Sequence, residues 1–489
     1  MFSVSIYTLG CKLNQLESEA IADTFKCNGF SLTAWEEGQN GISPDIIIIS
    51  TCTVTSRSDQ KARRIIRKAL RDNPRSVVIA TGCYAVLDKE KLEKLEDCIP
   101  AEDRLPAEHR LFVIDNKTDM LNLPADLGRQ FKDTPPNKAE LRETIARCLI
   151  TRNQAHLTKT QAHPAKTDNG EFFSYTPRTF SFHTRAFLKI QDGCDNNCTY
   201  CRIRLARGPG RSMDAGKILA ELRALEAAGY WEAVLTGVNI SQYGAGNPVI
   251  PESSGELGGL LNFLLEGTQN IGIRLSSLEP LKIDETLAGV LAHPRIRPHF
   301  HLSVQSGSST VLQKMGRSYS ALDVEKAVVL LRSVKNKPFI ACDIIAGFPG
   351  ESEEQFEETL ALCRNVGFAW IHAFPYSKRP GTASFDYPQT ISETETMRRV
   401  GILGRMALEG RRDYAQLWTG TELEAIVENS GKKKAGYNRG LTDNYLRVSI
   451  REDKNKPAVP GTVIKCRISG LASETECDVQ AADYDIIKK

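Results

Sequence analysis

The chain lacks any long hydrophobic run. Its densest apolar stretch is Ile46–Ile49, far short of the ~20 residues that a membrane-spanning helix needs. The opening residues MFSVSIYTLGCK carry no basic segment ahead of their apolar positions, so a secretory signal is not expected. No membrane partner and a cytoplasmic location are the default expectations. Charge of one sign is also missing: 63 Lys and Arg against 60 Asp and Glu leave a formal +3, which neither demands nor excludes nucleic acid. Nor do the cysteines come in an even number. Thirteen at uneven spacing fit a disulfide framework poorly, and in a reducing compartment clustered thiols more often bind metal or do chemistry. There is no tandem repeat. With 489 residues, 41% hydrophobic and 25% charged, the chain is neither fibrous, wholly disordered nor a small stapled domain. At roughly 150 residues per domain it is long enough for about three.

Residues 1–116 alternate apolar runs with helical stretches. SVSIYTL (3–9), DIIIIS (45–50), SVVIATG (76–82) and LFVIDN (111–116) read as strands; SEAIADTFKCNG (18–29), DQKARRIIRKALRD (59–72) and KEKLEKLED (89–97) read as helices. Such alternation predicts a parallel sheet with helices outside. Residues 117–183 are poorly patterned and read as a linker or insertion with one helix at 138–150; TPPNK (134–138) breaks the chain and 158–170 is polar. From 184 the alternation resumes. RAFLKIQDG, EAVLTGV, GIRLSS, FHLSVQ, FIACDIIAG and AWIHAFPY are candidate strands, and six β/α units suit an incomplete (β/α) barrel. A long helical run (392–418) closes that segment. Residues 419–489 change character: ELEAIVE, NYLRVSI, GTVIKCRIS and ECDVQAAD are short strands between polar turns, the pattern of a small all-β barrel. The expected fold class is therefore α/β: an N-terminal parallel sheet, a central partial (β/α)6 barrel over 184–418, and a C-terminal β barrel.

The sharpest motif is GCDNNCTYC (193–201), which places Cys194, Cys198 and Cys201 in a C-x3-C-x2-C pattern. Three thiolates on one tight loop can hold three corners of a 4Fe–4S cube, leaving the fourth iron open to a substrate. The loop follows the first barrel strand, so it opens at the carboxyl face, where β/α barrels place their chemistry. Zinc is the competing reading; a zinc site wants four ligands and paired knuckles, and no fourth ligand lies nearby in sequence. Three unrelated structural cysteines are the remaining alternative.

Cys11, Cys52 and Cys83 share one local context. Each lies just past a strand: IYTLGC, IIISTC and VIATGC. Strand carboxyl ends share one edge of a parallel sheet, and ligands bind there, so the three can converge on a second cube. The other reading is three small residues filling strand ends, because cysteine packs as a minor hydrophobe. Position alone leaves both open. Cys27, Cys98 and Cys148 lack this context.

At Cys194–Cys201, with Tyr200 before the last cysteine, the sequence resembles the radical S-adenosylmethionine enzymes. LTGVNISQYG (235–244), RLSSLEP (274–280), HLSVQSGSSTVLQKMGR (301–317) and DIIAGFPGE (343–351) resemble that family's later strands and loops. TLGCKLNQLESE (8–19), STCTVTSRSDQKARR (50–64) and TGCY (81–84) resemble the N-terminal domain of its methylthiotransferases. GCKLNQ, TCTVT and FPYSKRPGT (374–382) favour the branch acting on N6-threonylcarbamoyladenosine in tRNA. The sequence departs from the family at Ser50, where Asn is common, at Arg204, where many relatives have Pro, and in the length of 117–183.

The resemblance implies two 4Fe–4S clusters, a radical one on Cys194, Cys198 and Cys201 and an auxiliary one on Cys11, Cys52 and Cys83. It also implies S-adenosyl-L-methionine, bound near Tyr200, Gly237, Ser276, Glu279, Gln305 and Gly347, where glycines would let the backbone approach the cofactor. One S-adenosylmethionine would give a methyl group to sulfur and another the radical that activates adenine C2, with an external low-potential electron donor. The same chemistry on isopentenyladenosine or a ribosomal protein is the alternative, and a non-catalytic iron–sulfur RNA-binding protein is another.

For the tRNA anticodon stem-loop, two basic stretches stand out. Arg57–Arg75 holds eight basic and two acidic residues, suited to phosphate or simply a solvated helix face. CRIRLARGPGR adds Arg202, Arg204, Arg207 and Arg211, which suit a polyanion, a carboxylate or internal acids. Residues 419–489 resemble the TRAM domain, an RNA-binding barrel. Lys432–Lys434, Tyr437, Arg439 and Tyr445 there form either a basic-aromatic surface or a polar turn.

Overall fold

The computed structural model describes residues 2–35, 43–98, 109–131, 140–149, 151, 173–245, 256–429, 435–472 and 477–488. The TPPNK break, the polar stretch 158–170 and Lys432–Lys434 lie outside them. The chain forms two compact units: 1–181 with 202–209, and 182–201 with 210–489.

In the first unit, strands β1 (Ser3–Thr8), β2 (Ser31–Leu32), β3 (Ile46–Thr51), β4 (Val77–Gly82) and β5 (Leu111–Val113) form one sheet in the order β2-β1-β3-β4-β5, with every pairing parallel. The apolar run at Ile46–Ile49 is continuous because both sheet faces are covered. Ile47 and Ile49 pack with Ala62, Ile65, Ile66 and Ala69 of helix Ser56–Asp72. Ile46 and Ile48 share the opposite core with Ala20, Ile21 and Phe25 of helix Lys12–Cys27. That second core also contains Met120, Leu123 and Leu127 from a helix at Lys117–Gln130. The sequence pattern gave no element there; Pro124 inside the helix breaks the expected signal, yet its apolar stripe is fully used. Residues 140–149 are helical, in keeping with the helix expected at 138–150.

In the second unit, β6 (Ala186–Lys189), β9 (Glu232–Thr236) and β10 (Gly272–Leu275) form one parallel sheet, and β11 (His299–Gln305), β12 (Phe339–Ala346) and β13 (Trp370–Pro375) another. Bridges Ile273–Ile296 and Leu278–Leu302 join the two, giving six parallel strands in chain order, as an open (β/α)6 barrel requires. The short β7 (Gln191–Asp192) and β8 (Arg211–Ser212) pair antiparallel. Helix Glu393–Gln416 follows β13.

Strands β14 (Glu422–Val427), β15 (Tyr437–Thr442), β16 (Arg447–Arg451), β17 (Val463–Leu471) and β18 (Val479–Lys488) close a barrel in the order β14-β15-β16-β18-β17. The sequence reading missed β15, whose polar YNRGLT resembles a turn. Tyr445, an expected surface aromatic, instead packs against His299 with ring centroids 3.9 Å apart and lies 5.2 Å beneath the Arg274 guanidinium. It belongs to packing, not to a free RNA-facing patch.

A buried ionic knot ties this unit together. Glu232 on β9 accepts from Arg274 Nε at 2.6 Å and Nη2 at 2.8 Å, and Arg297 and Arg185 stand 3.2 and 3.6 Å away. Arg185 also reaches Glu428, at 3.2 Å. Burial alone would raise the Glu232 carboxyl; Arg274, then Arg185 and Arg297, overcome that and hold it at about 2. A carboxyl depressed in the folded state stabilises above its unfolded pKa of about 4.3 and loses that contribution as pH falls toward the folded value. Glu232→Gln should therefore destabilise the unit by about 3–5 kcal/mol at neutral pH, the cost of stranding buried charge. It should also flatten the acid limb of stability between about pH 4.3 and 2, read as urea midpoints across pH.

Candidate functional site

Three thiols gather at the carboxyl edge of the first unit's sheet. Cys11 caps helix Lys12–Cys27, Cys52 follows β3, and Cys83 opens the short helix Cys83–Leu87. Asn14, one turn into the first helix, organises them. Its Nδ2 donates to Leu9 O at 2.8 Å and to Thr51 O at 2.9 Å, so one amide joins the ends of β1 and β3. The Sγ atoms of Cys11 and Cys83 both lie 4.0 Å from its Oδ1. Thr51 links the third loop, donating from Oγ1 to Thr81 O at 2.6 Å and accepting from Ala85 N at 3.2 Å.

Glycine is required at two joints here. Gly10 has φ +109° and a Cβ there would lie 2.7 Å from Cys52 Cβ; Gly82 has φ +95° and its Cβ would meet Thr51 O.

Arg207 completes the edge from within the same unit. It is buried, and its Nε stands 3.2 Å from Cys83 Sγ, Nη1 2.9 Å from Glu17 Oε1, and Nη2 3.1 Å from Asn14 Oδ1. Glu17, also buried, pairs with Lys117 as well. A cation beside thiols favours the thiolate that an iron site needs. Burial pushes the Cys52 thiol up to about 12, so without a bound cation that sulfur stays protonated. The basic run on helix Ser56–Asp72 keeps Arg57, Lys61, Arg64, Arg67 and Arg71 exposed, while Arg63 donates to Tyr84 Oη at 2.6 Å. Of the four arginines after Cys201, two are spent internally, since Arg207 holds Glu17 and Arg202 meets Asp88 at 3.0 Å. For these two, the internal-acid reading holds rather than the polyanion one.

The second unit carries Cys194, Cys198 and Cys201 on the loop after β7. Cys201 N donates to Cys198 O at 3.1 Å, closing a turn. Thr199 pins that turn: its N bonds Met315 O at 3.0 Å, its Oγ1 bonds Lys314 O at 3.0 Å, and its carbonyl accepts from Ser384 N at 2.8 Å. Arg317 stands at the centre of the surrounding polar net. It donates to Glu279 Oε1 at 3.2 Å and to Tyr200 Oη at 2.9 Å. Asn196 also donates to Glu279, and accepts from Gln242 at 2.9 Å. Burial raises the Cys198 thiol and the nearby Arg317 charge opposes that rise.

Gly237, Ser276, Gln305 and Gly347 all fall at or just past strand carboxyl ends. Tyr200 and Glu279 come together through Arg317. At Gly237 and Gly347, however, a Cβ would collide with Gln191 and with Thr396. Packing by the chain itself thus requires glycine at both positions. Sequence reasoning missed Asn14, Glu17, Asn196 and Arg317 as site residues; each stood inside a quoted motif, but only its long-range partner reveals its role. Arg207 was singled out, and its pairing with Glu17 fits the internal-acid reading, while its place at Cys83 had no sequence signal.

Among the described residues, no three His, Cys, Asp or Glu side chains converge on a position for one metal ion. A 4Fe–4S cube takes one thiolate at each of three different irons, so sulfur is the donor type it needs and cysteine is what stands at both places. No helix of the described residues is long and apolar enough to cross a membrane.

Comparison with known proteins adds the following. Residues 188–363 match the Radical SAM superfamily, and residues 3–101 match a family described as uncharacterized protein family UPF0004. The chain is 38% identical to the threonylcarbamoyladenosine tRNA methylthiotransferase MtaB of Treponema pallidum, over 96% of this chain and 98% of that protein. It is 32% identical to the protein of the same name from Bacillus subtilis, over 96% and 94%. It is 28% identical to the tRNA-2-methylthio-N(6)-dimethylallyladenosine synthase of Pelobacter propionicus, over 95% and 96%.

Replacing Asn14 by Ala would remove its side-chain donor from the Leu9 and Thr51 carbonyls, at about 1–3 kcal/mol for each buried group left unsatisfied. Iron bound per chain after anaerobic reconstitution is expected to fall by about half in Asn14→Ala, while S-adenosylmethionine cleavage persists. Undiminished iron would show that the clamp does not shape the thiol group.

Proposed function

The chain belongs to the radical S-adenosylmethionine methylthiotransferases that act on tRNA, and from that premise we propose that it adds a methylthio group at C2 of N6-threonylcarbamoyladenosine next to the anticodon. It is an enzyme of that family, and its cofactors are S-adenosylmethionine and 4Fe–4S iron–sulfur clusters. The assignment of ligands is our own: Cys194, Cys198 and Cys201 hold the radical cluster, and Cys11, Cys52 and Cys83 hold the auxiliary one. The observation that carries it is the meeting of Cys11 and Cys83 on one Asn14 oxygen, beside Cys52, in a chain that also bears the C-x3-C-x2-C loop.

When bound, these groups supply a 5′-deoxyadenosyl radical and a transferable sulfur, which an unactivated aromatic C–H demands because polar chemistry offers no purchase on it. The protein's part is position and charge. Thr199 and the Cys198–Cys201 turn hold the radical loop still. Arg317 orients Tyr200 and Glu279 beside Cys198, a place suited to the polar groups of S-adenosylmethionine. Arg207 offsets thiolate charge at Cys83. Ser276 and Gln305, at the ends of β10 and β11, line the same carboxyl face. The exposed arginines of helix Ser56–Asp72 supply phosphate contacts to an anticodon stem-loop, which binds without base identity through such charge. Electrons come from an external low-potential donor.

The nucleoside choice follows the name shared by the Treponema and Bacillus relatives. Mass spectrometry of tRNA nucleosides from cells with and without the protein checks it. The 2-methylthio derivative of N6-threonylcarbamoyladenosine should vanish without the protein, and loss of the dimethylallyl product instead would move the substrate to the other branch. In the purified enzyme, Cys194→Ala should abolish reductive formation of 5′-deoxyadenosine; continued formation would remove the radical cluster from that loop.

A further inference from the structure

The two halves of the C-x3-C-x2-C loop are held differently. In the C-x2-C half the chain closes on itself, Cys201 N donating to Cys198 O, and Thr199 pins the turn. The C-x3-C half is gripped from outside. Gln242 holds both residues that follow Cys194: its Oε1 accepts from Asp195 N at 3.1 Å, and its Nε2 donates to Asn196 Oδ1 at 2.9 Å. A carboxylate or an apolar side chain of the same length cannot make both bonds.

The run NISQ (239–242) explains why Gln242 stands there. After β9 it forms a single turn, Ile240–Gln242, and the fully buried Ile240 anchors that turn in the core. Its neighbours meet polar partners. Asn239 N donates to Gln191 Oε1 at 2.8 Å, and Gln191 Nε2 donates to Gly193 O at 2.8 Å. Ser241 Oγ accepts from Glu279 N at 2.9 Å. The turn therefore reaches the cysteine loop at Gly193 through Gln191, and directly at Asp195 and Asn196. Asn196 donates onward to Glu279, which Arg317 joins to Tyr200. The side-chain network that leaves the loop at Asn196 thus rejoins it at Tyr200. Outer partners of this kind fix how a ligand residue is presented. Burial raises the Cys194 thiol, and the Asn196 N–H against its sulfur opposes that rise.

We propose that Gln242 is a positioning residue of the radical-cluster loop: through Asp195 and Asn196 it fixes the C-x3-C span, and with it the way Cys194 grips the cluster. The inference rests on the reading that Cys194, Cys198 and Cys201 hold that cluster. N–H donors at a cluster sulfur stabilise the reduced, more negative state and so raise its potential. Without Gln242, Asn196 is released, its N–H leaves the Cys194 sulfur, and the cluster becomes harder to reduce.

Redox titration of the full-length holoenzyme, followed by electron paramagnetic resonance, tests this. The signal to follow is the one that changes when S-adenosylmethionine is added. Gln242→Met keeps the side chain's length and loses both bonds. Its responsive cluster should titrate at a more negative potential than the parent's, while iron per chain and the potential of the other cluster stay at the parent's values. Asn196→Ala should shift the same potential in the same direction. The double variant should shift it by less than the sum of the two, because one residue acts through the other. An unmoved potential in Gln242→Met overturns the positioning role, even where the urea midpoint falls, and so do shifts that simply add. Cys194→Ala separates this inference from the reading beneath it. If that variant keeps the responsive signal, the ligand assignment falls and the inference with it. If it loses the signal while Gln242→Met stays at the parent's potential, the inference falls alone.

Discussion

The site in the first unit depends on one amide. Asn14 donates to the carbonyls that end β1 and β3 and turns its oxygen toward the Cys11 and Cys83 sulfurs. Parallel strands end at a common edge as a matter of topology, but topology alone leaves loop ends several ångströms adrift. A buried amide with both donors satisfied removes that freedom, because breaking either bond strands a carbonyl away from water. Thr51 extends the tie to the Cys83 loop. Gly10 and Gly82 then let the backbones turn where any side chain would strike the neighbouring loop.

Charge is arranged with the same economy. Thiolates gathered on one cluster would repel, and the Arg207 guanidinium at Cys83 would offset that charge while Glu17 fixes its orientation. In the second unit Arg317 does comparable work among Cys198, Tyr200 and Glu279. Both arginines act through fixed, planar donor sets, which a lysine would not reproduce. The Glu232 knot serves a different end: it binds β9 and β10 to the segments at Arg185, Arg297 and Glu428 in the same unit.

Much of this was legible in the amino-acid order. The C-x3-C-x2-C loop is contiguous, so spacing alone displays it. The convergence of Cys11, Cys52 and Cys83 was legible because each follows a strand of one parallel sheet; that they hold a cluster came only from the resemblance, since position alone left small packing residues open. What stayed hidden depends on distance along the chain. Arg207 meets Glu17 across 190 residues, and no local pattern distinguishes it from Arg204, which is exposed. Helix Lys117–Gln130 was masked by its internal proline, and β15 by its polar composition. Gly237 and Gly347 were read as cofactor glycines; the contacts with Gln191 and Thr396 that also require glycine there lie outside any local pattern.

The most direct test of the account is iron stoichiometry with Mössbauer spectroscopy on two reciprocal variants, one with Cys194, Cys198 and Cys201 all changed to Ala, the other with Cys11, Cys52 and Cys83 all changed to Ala. Two cubes gripped at three cysteines each predict about four irons in each variant against about eight in the parent, with the cubane signature in both. A first variant that binds no iron, or a second that retains all of the parent's, would contradict it.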